Sequence, residues 1–247
     1  MSESKEILYG VHPVLELLRA GERPLDKLYV LKGRGGGKVD EIIRLARAQG
    51  VTLHFESRAA LDRLATHEKH QGVVALIAAK AYDSPEDIKK IARERNQPLL
   101  ALLLDGVEDP RNLGAIIRTA DAVGVHGIIL PRHRSVGLTG SVVKASAGAV
   151  EHLAVARVIN LTRAVEDLKE EGLWIIGLEP TASQAYTELD YKGPVGIVVG
   201  GEAKGIRQGL LKHCDYLVSI PMKGRVESLN VSVAVGILLY EILRQRG

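Results

Sequence analysis

One cysteine, Cys214, stands in 247 residues, together with one tryptophan, one phenylalanine and two methionines. A lone thiol forms neither an internal disulfide nor a cysteine-based metal site, so no metal is expected and a reducing, cytoplasmic compartment is. The longest apolar stretches, such as Leu99–Leu104, are far shorter than the ~20 residues a membrane-spanning helix needs. The start, Met1-Ser2-Glu3-Ser4-Lys5-Glu6, is polar and lacks the apolar run of a signal peptide. So few large aromatic side chains argue against a single-strand binder built on base-stacking platforms. No G-x-G-x-x-G follows a strand pattern, which leaves the usual dinucleotide fold without support. HEXXH, paired CxxC and G-x-S-x-G are also missing, and with them the metalloprotease and serine-hydrolase classes.

Net charge is only +3, but it is unevenly placed. Residues 1–80 hold 13 Lys and Arg against 10 Asp and Glu, while the remainder balances at 20 against 20. The excess tilts the N-terminal third toward an anionic partner. Glycines cluster there as Gly33-Arg34-Gly35-Gly36-Gly37-Lys38. That run lacks phosphate-loop spacing, and Val39 stands where a magnesium-binding hydroxyl is needed, so it reads as a flexible surface loop.

Periodicity divides the chain into an N-terminal domain over residues 1–80, a linker helix over 81–97 and a C-terminal domain over 98–247. The first alternates helix and strand: helices over Val11–Ala20, Val39–Gln49 and Ser57–Ala65, and strands over Lys27–Leu31, Val51–Phe55 and Val73–Ala78. Ser57 is a candidate cap. Ser84-Pro85-Glu86-Asp87 starts a charged helix with a capping residue, a proline and acids in the first turn. Beyond Pro98, apolar runs of strand length occupy Leu99–Leu104, Gly127–Leu130, Val150–Val158, Leu173–Leu178, Val195–Val199 and Tyr216–Ile220. Helical patterns over 112–123, 139–147, 161–171 and 206–213 separate several of them. This alternation predicts an α/β fold, with a parallel sheet and helices on both faces. The last segment, Leu229–Arg244, is apolar on more than one side, which suggests packing on its own sheet and on a second subunit.

Three blocks carry polar residues where strands meet helices. The first is Asp109-Pro110-Arg111-Asn112-Leu113-Gly114-Ala115-Ile116-Ile117-Arg118-Thr119-Ala120. Asn112 can cap a helix and Arg118 can pair with Asp121 one turn on. The second, Val198-Val199-Gly200-Gly201-Glu202-Ala203-Lys204-Gly205-Ile206, turns a strand into a helix through glycines that permit close backbone approach to a ligand. The third runs Ile220-Pro221-Met222-Lys223-Gly224-Arg225-Val226-Glu227-Ser228-Leu229-Asn230-Val231-Ser232. There Ser228 or Asn230 can cap the final helix. Separately, Arg132-His133-Arg134 forms a basic loop after a strand end, and both arginines are expected to contact the phosphates of an anionic partner.

In this order and spacing the blocks resemble the three motifs of the SpoU (TrmH-type) RNA ribose methyltransferases of the SPOUT superfamily. Residues from Ile7 to about Ala79, including Tyr9-Gly10-Val11-His12-Pro13-Val14 and His70-Gln71-Gly72-Val73, resemble that family's substrate-binding domain. The resemblance implies a C-terminal trefoil knot, a homodimer and S-adenosylmethionine as cofactor. It implies transfer of a methyl group to an RNA ribose 2'-hydroxyl. The two-domain layout is similar to members acting on a guanosine of 23S rRNA. A tRNA substrate, or an RNA-binding protein without activity on the same fold, stays open. By the same resemblance the loops after Leu178, Val199 and Ile220 form the cofactor pocket. Gly200, Ile220 and Leu229 line it, with Gly201 giving backbone approach and Met222 apolar surface for adenine. Arg118 takes the central catalytic role. Guanidinium holds its proton, so Arg118 is expected to act electrostatically rather than as a base. Asn112, Glu202, Ser228 and Asn230 occupy the remaining motif positions.

Overall fold

The computed structural model describes residues 5–21, 23–66, 69–202, 204–226 and 228–247. Met1–Ser4 of the polar start, and Ala203 and Glu227 of the second and third blocks, lie outside the described residues. Two compact units emerge: Met1–Ala81 with Gly137–His152, and Tyr82–Val136 with Leu153–Gly247.

In the first unit β1 (Lys5–Tyr9) turns through Gly10 into α1 (Val11–Ala20). Then come β2 (Leu25–Leu31), α2 (Lys38–Ala48), β3 (Thr52–Glu56), α3 (Arg58–Leu64) and β4 (Val73–Ala78). The strands lie in the order β1-β4-β2-β3, with β2 and β3 parallel and the other pairs antiparallel. Leu28 and Val30 alternate inward on β2, and Val11, Val14, Leu15 and Leu18 form the buried stripe of α1. Each such side chain contributes roughly 1.5–3 kcal/mol on burial. Ser57 caps α3, its hydroxyl accepting from the Ala60 N–H at 3.3 Å.

The second unit opens with α4 (Pro85–Glu94), β5 (Leu100–Asp105), α5 (Pro110–Ala122) and β6 (Gly127–Pro131). The chain returns to the first unit for α6 (Gly140–Ala145) and a 3-10 turn at Ala149–Glu151. It re-enters the second with β7 (Ala154–Val158), α7 (Leu161–Glu170), β8 (Trp174–Leu178) and β9 (Gln184–Ala185). The unit closes with β10 (Val195–Gly200), α8 (Gln208–Leu211), β11 (Tyr216–Ser219) and α9 (Val231–Arg246). Seven strands form one sheet in the order β7-β6-β5-β10-β8-β11-β9, with every pair parallel. All six residues of β5 and of β10 are buried, as strands covered on both faces must be.

Three sequence expectations need correction. The helix read as a linker, α4, packs within the second unit: Ile88 and Ala92 are buried in its core. A Cβ added at Gly127 on β6 would meet Ile88 Cγ1 at 2.4 Å, so this glycine lets the helix lie against the sheet. Ser84 does cap α4, sharing reciprocal bonds with Asp87. Next, Val150 and Glu151 are not strand. Glu151 is buried in the first unit, where its carboxylate accepts from Arg23 at 3.1 Å and fixes the turn. Finally, α6 serves the first unit rather than the second, with Gly140 so close to β1 that a Cβ would come within 2.5 Å of the Ile7 carbonyl oxygen. The last helix buries Val231, Val235, Leu238, Leu239 and Ile242 and leaves Val233 and Tyr240 exposed. Among the described residues no helix is long and apolar enough to cross a membrane.

Candidate active site

Because the strands of the large sheet are parallel, their C-terminal ends share one edge, the edge where open α/β sheets bind ligands. At β10 that edge is built from glycine. The Gly201 N–H donates to the Asp105 carbonyl at 2.8 Å, and the Gly205 N–H folds back onto the Gly201 carbonyl at 2.9 Å. A Cβ at Gly200 would sit 1.9 Å from the Gly205 carbonyl carbon, and one at Gly201 would sit 2.0 Å from the Gly106 oxygen. Gly205 takes the left-handed φ of +59° that closes the loop. The close approach at these glycines is therefore to the protein's own backbone. It folds the 200–205 loop tightly against the loop after β5.

A buried carboxylate locks the two loops together. Asp105, at the end of β5, accepts from the Arg207 main-chain N–H at 3.0 Å and from its Nε at 2.7 Å. Arg207 Nη2 lies 2.7 Å from the same carboxylate, whose side chain is 3% exposed against 45% for the arginine. Neither residue was among the sequence candidates. An acid ending the apolar run Leu99–Leu104 was the available signal.

Three polar side chains join the three blocks. Asn112, in the first turn of α5, donates through Nδ2 to Glu202. Its Oδ1 accepts from Asn230 Nδ2 at 3.1 Å. Asn230 is also the cap of α9, its Oδ1 accepting from the Ser232 N–H at 3.0 Å and hydroxyl at 2.6 Å. The same Asn230 side chain thus caps α9 through its Oδ1 and reaches Asn112 through its Nδ2. The cap of α5 is Asp109, which accepts from the Arg111 N–H at 2.8 Å, and not Asn112.

Beside this chain opens a cavity of about 780 Å³, within the usual 300–1,000 Å³ of small-molecule sites. Leu178, Gly200, Gly201, Ile220, Met222 and Leu229 all line it, as do Glu202, Ser228 and Asn230. Glu179, Thr181, Lys204, Gln208 and Leu217 line it as well and were not foreseen. The first two belong to the loop after Leu178, which the family resemblance had placed at the pocket without naming them. The lining is apolar at Leu178, Leu217, Ile220 and Leu229 and carries carboxylate, hydroxyl and amide groups at Glu179, Glu202, Ser228 and Asn230. This donor set fits a cofactor carrying an aromatic base, a ribose and a charged amino-acid tail.

Other candidates fall elsewhere. Arg118 is exposed on α5, outside the cavity lining, and among the described residues it makes no ion pair with Asp121. Arg132 and Arg134 are exposed just beyond β6, on the same strand-end edge; Arg134 holds a φ of +61°. Cys214 is no nucleophile: burial pushes its thiol up to about 11. At the opposite end of the sheet His126 accepts from the Leu100 N–H and faces Gln97. Burial, then the Arg95 and Arg246 charges, pushes its imidazole down to about 4. Among the described residues no cluster of His, Cys, Asp and Glu could hold a metal ion.

Residues 99–240 match the model of the SpoU rRNA Methylase family, and residues 7–83 match that of RNA 2'-O ribose methyltransferase substrate binding. The chain is 44% identical to a putative TrmH family tRNA/rRNA methyltransferase, YacO, of Bacillus subtilis (strain 168), over 100% of this chain and 98% of that one. It is 43% identical to the 23S rRNA (guanosine-2'-O-)-methyltransferase RlmB of Shewanella oneidensis, over 99% of each. Among solved structures it resembles the SpoU methyltransferase AviRb from Streptomyces viridochromogenes in complex with AdoMet. That match has a TM-score of 0.80 and 27% identity, over 98% of this chain and 90% of that one.

Proposed function

This chain belongs to the SpoU rRNA methylase family, and from that premise we propose that it methylates the ribose 2'-hydroxyl of a guanosine in 23S rRNA. It is an S-adenosylmethionine-dependent RNA 2'-O-methyltransferase. The 23S rRNA target draws support from the full-length similarity to RlmB. An enzyme with that substrate works in the cytoplasm, where ribosomes are assembled.

One observation carries the site assignment: Asn112 bridges Glu202 and Asn230, which both line one cavity, and so ties three separated blocks together. Leu178, Ile220, Met222 and Leu229 offer the adenine an apolar wall. The loop from Gly200 to Gly205, pinned by Asp105 and Arg207, holds the wall's shape. Bound S-adenosylmethionine supplies an electrophilic methyl carbon. The protein's own work is to align the ribose hydroxyl and ease loss of its proton. Positioning of this kind is worth about 7–11 kcal/mol, more than the two to four decades of a general base. Arg118, an exposed guanidinium with no hydrogen bond or ion pair among the described residues, holds an RNA phosphate and stabilises the developing alkoxide. Asn112, Glu202, Ser228 and Asn230 orient the ribose and the cofactor loops. Arg132 and Arg134 extend the contact to flanking phosphates.

Two copies pair through the outer face of α9, where Val233 and Tyr240 are exposed and Ile237 between them is half-buried. The strand order, with β10 between β5 and β8 and α9 returning to pack on α5, supports the knotted C-terminal segment. Methyl transfer from labelled cofactor to total RNA, followed by mapping of the 2'-O-methyl position, is the decisive experiment. Label confined to tRNA would move the substrate, and no label in any RNA would leave only binding.

A further inference from the structure

Two carboxylates line the cofactor cavity, Glu179 and Glu202, and they differ in what they already hold. Glu202 is taken up by the Asn112 amide. Glu179 has no comparable partner. Among the described residues no lysine, arginine or main-chain N–H reaches its carboxylate. Its Oε1 accepts only from the Thr181 hydroxyl, at the long distance of 3.4 Å, and its Oε2 accepts from no donor.

The backbone fixes where this carboxylate stands. Glu179 directly follows the last residue of β8, and its main-chain N–H donates to the Val218 carbonyl at 2.9 Å. It is thereby held at the strand end, next to the apolar lining that Leu178 begins. On its other side the half-buried carboxylate leans on the glycine loop after β10: a Cβ added at Gly205 would stand 3.6 Å from Glu179 Oε2. A carboxylate only accepts, with about four lone-pair sites. An occupant of the cavity strips water from those oxygens, so it must bring donors of its own or lose affinity.

S-adenosylmethionine has three groups that could meet a carboxylate: the vicinal ribose hydroxyls, the sulfonium and the ammonium. Glu179 stands at the end of the wall assigned to adenine, and the ribose is the group joined directly to adenine. Two adjacent hydroxyls present two O–H donors to two carboxylate oxygens, as ribose does to strand-end acids in other nucleotide-binding sheets. The sulfonium carries charge but no N–H or O–H, and the ammonium lies at the far end of the tail. We infer that Glu179 is the acceptor for the cofactor's ribose hydroxyls and a specificity-determining residue of the pocket. The inference rests on the reading of this cavity as the cofactor site.

Calorimetric titration of the full-length protein tests it with four ligands. They are S-adenosylmethionine, S-adenosylhomocysteine, and the 2'-deoxy and 3'-deoxy forms of S-adenosylhomocysteine. In the wild type, loss of either hydroxyl should weaken binding by about ten- to a hundredfold, the usual worth of a hydrogen bond to a charged group. In Glu179→Ala both deoxy forms should bind within about threefold of S-adenosylhomocysteine, because their partner is gone. Glu179→Gln, which keeps the shape and removes the charge, should weaken S-adenosylmethionine and S-adenosylhomocysteine equally. Glu170→Gln, which removes an exposed carboxylate at the end of α7, should stay within about threefold of wild type. Deoxy forms that lose equally in wild type and Glu179→Ala overturn the assignment. Weakening of S-adenosylmethionine alone in Glu179→Gln overturns it too, and gives the carboxylate to the sulfonium. Wild-type affinity in Glu179→Ala also overturns it; if Gly200→Ala then binds normally as well, the reading of the cavity falls with it.

Discussion

Removing either partner of the Asp105–Arg207 pair should have sharply unequal effects. Arg207→Ala strands a carboxylate whose side chain is 3% exposed, leaving it the Arg207 main-chain N–H as its remaining donor among the described residues. Breaking a buried pair in this way costs about 3–5 kcal/mol. Asp105→Ala instead frees a guanidinium already 45% exposed, which completes its hydration at little cost. What remains is one main-chain N–H without its acceptor, about 1–3 kcal/mol. Arg207→Ala should therefore lose roughly 2 kcal/mol more than Asp105→Ala, and the double variant should fall near Asp105→Ala alone. Trp174, the single tryptophan, lies on β8 in the same sheet, so its fluorescence in a urea titration reports on the right unit. Calorimetric titration with S-adenosylmethionine should show weakened binding in both single variants, because the 200–205 loop loses its anchor. If Asp105→Ala proves as damaging as Arg207→Ala, desolvated charge is not what governs this junction.

Four further outcomes are expected. Gly200→Ala should abolish cofactor binding measured by calorimetry, since its methyl group would overlap the Gly205 backbone; retained affinity would mean that the loop opens at no cost. Arg118→Ala should keep cofactor affinity and lose at least a hundredfold in methyl transfer, with Arg118→Lys recovering only part; near-normal turnover in the alanine variant would remove Arg118 from the chemistry. Stability should fall as pH drops from 6.5 toward 4, where the unfolded chain protonates the histidine and folded His126, held down to about 4 by burial, does not. The loss is roughly 3 kcal/mol. Urea midpoints at pH 7 and 4.5 should show it, and His126→Gln should flatten it. Replacing Arg132 and Arg134 with alanine should lower the salt slope of RNA binding by about 1–2, whereas an unchanged slope in a filter-binding assay would clear that loop of phosphate contact.

Local patterns in the chain determined the elements. Period-two and period-3.6 apolar spacing placed strands and helices, and Ser57 and Ser84 announced helix starts through contacts three residues long. The three blocks were legible for a different reason: in order and spacing they resemble the motifs of a known family, whereas pattern alone read them as helix caps and a strand-to-helix turn. Tertiary structure decided what their polar groups touch. Asp105 meets Arg207 across 102 positions, Asn112 meets Glu202 across 90, and Asn230 meets Asn112 across 118. No spacing rule spans such separations, because the contacts exist only once a parallel sheet has brought its strand ends to one edge. The same holds for Gly200 and Gly201, whose need to lack a side chain comes from backbone in the loop itself and after β5. It holds also for α6, whose helical pattern was visible but whose place in the first unit depended on surfaces far away in the chain.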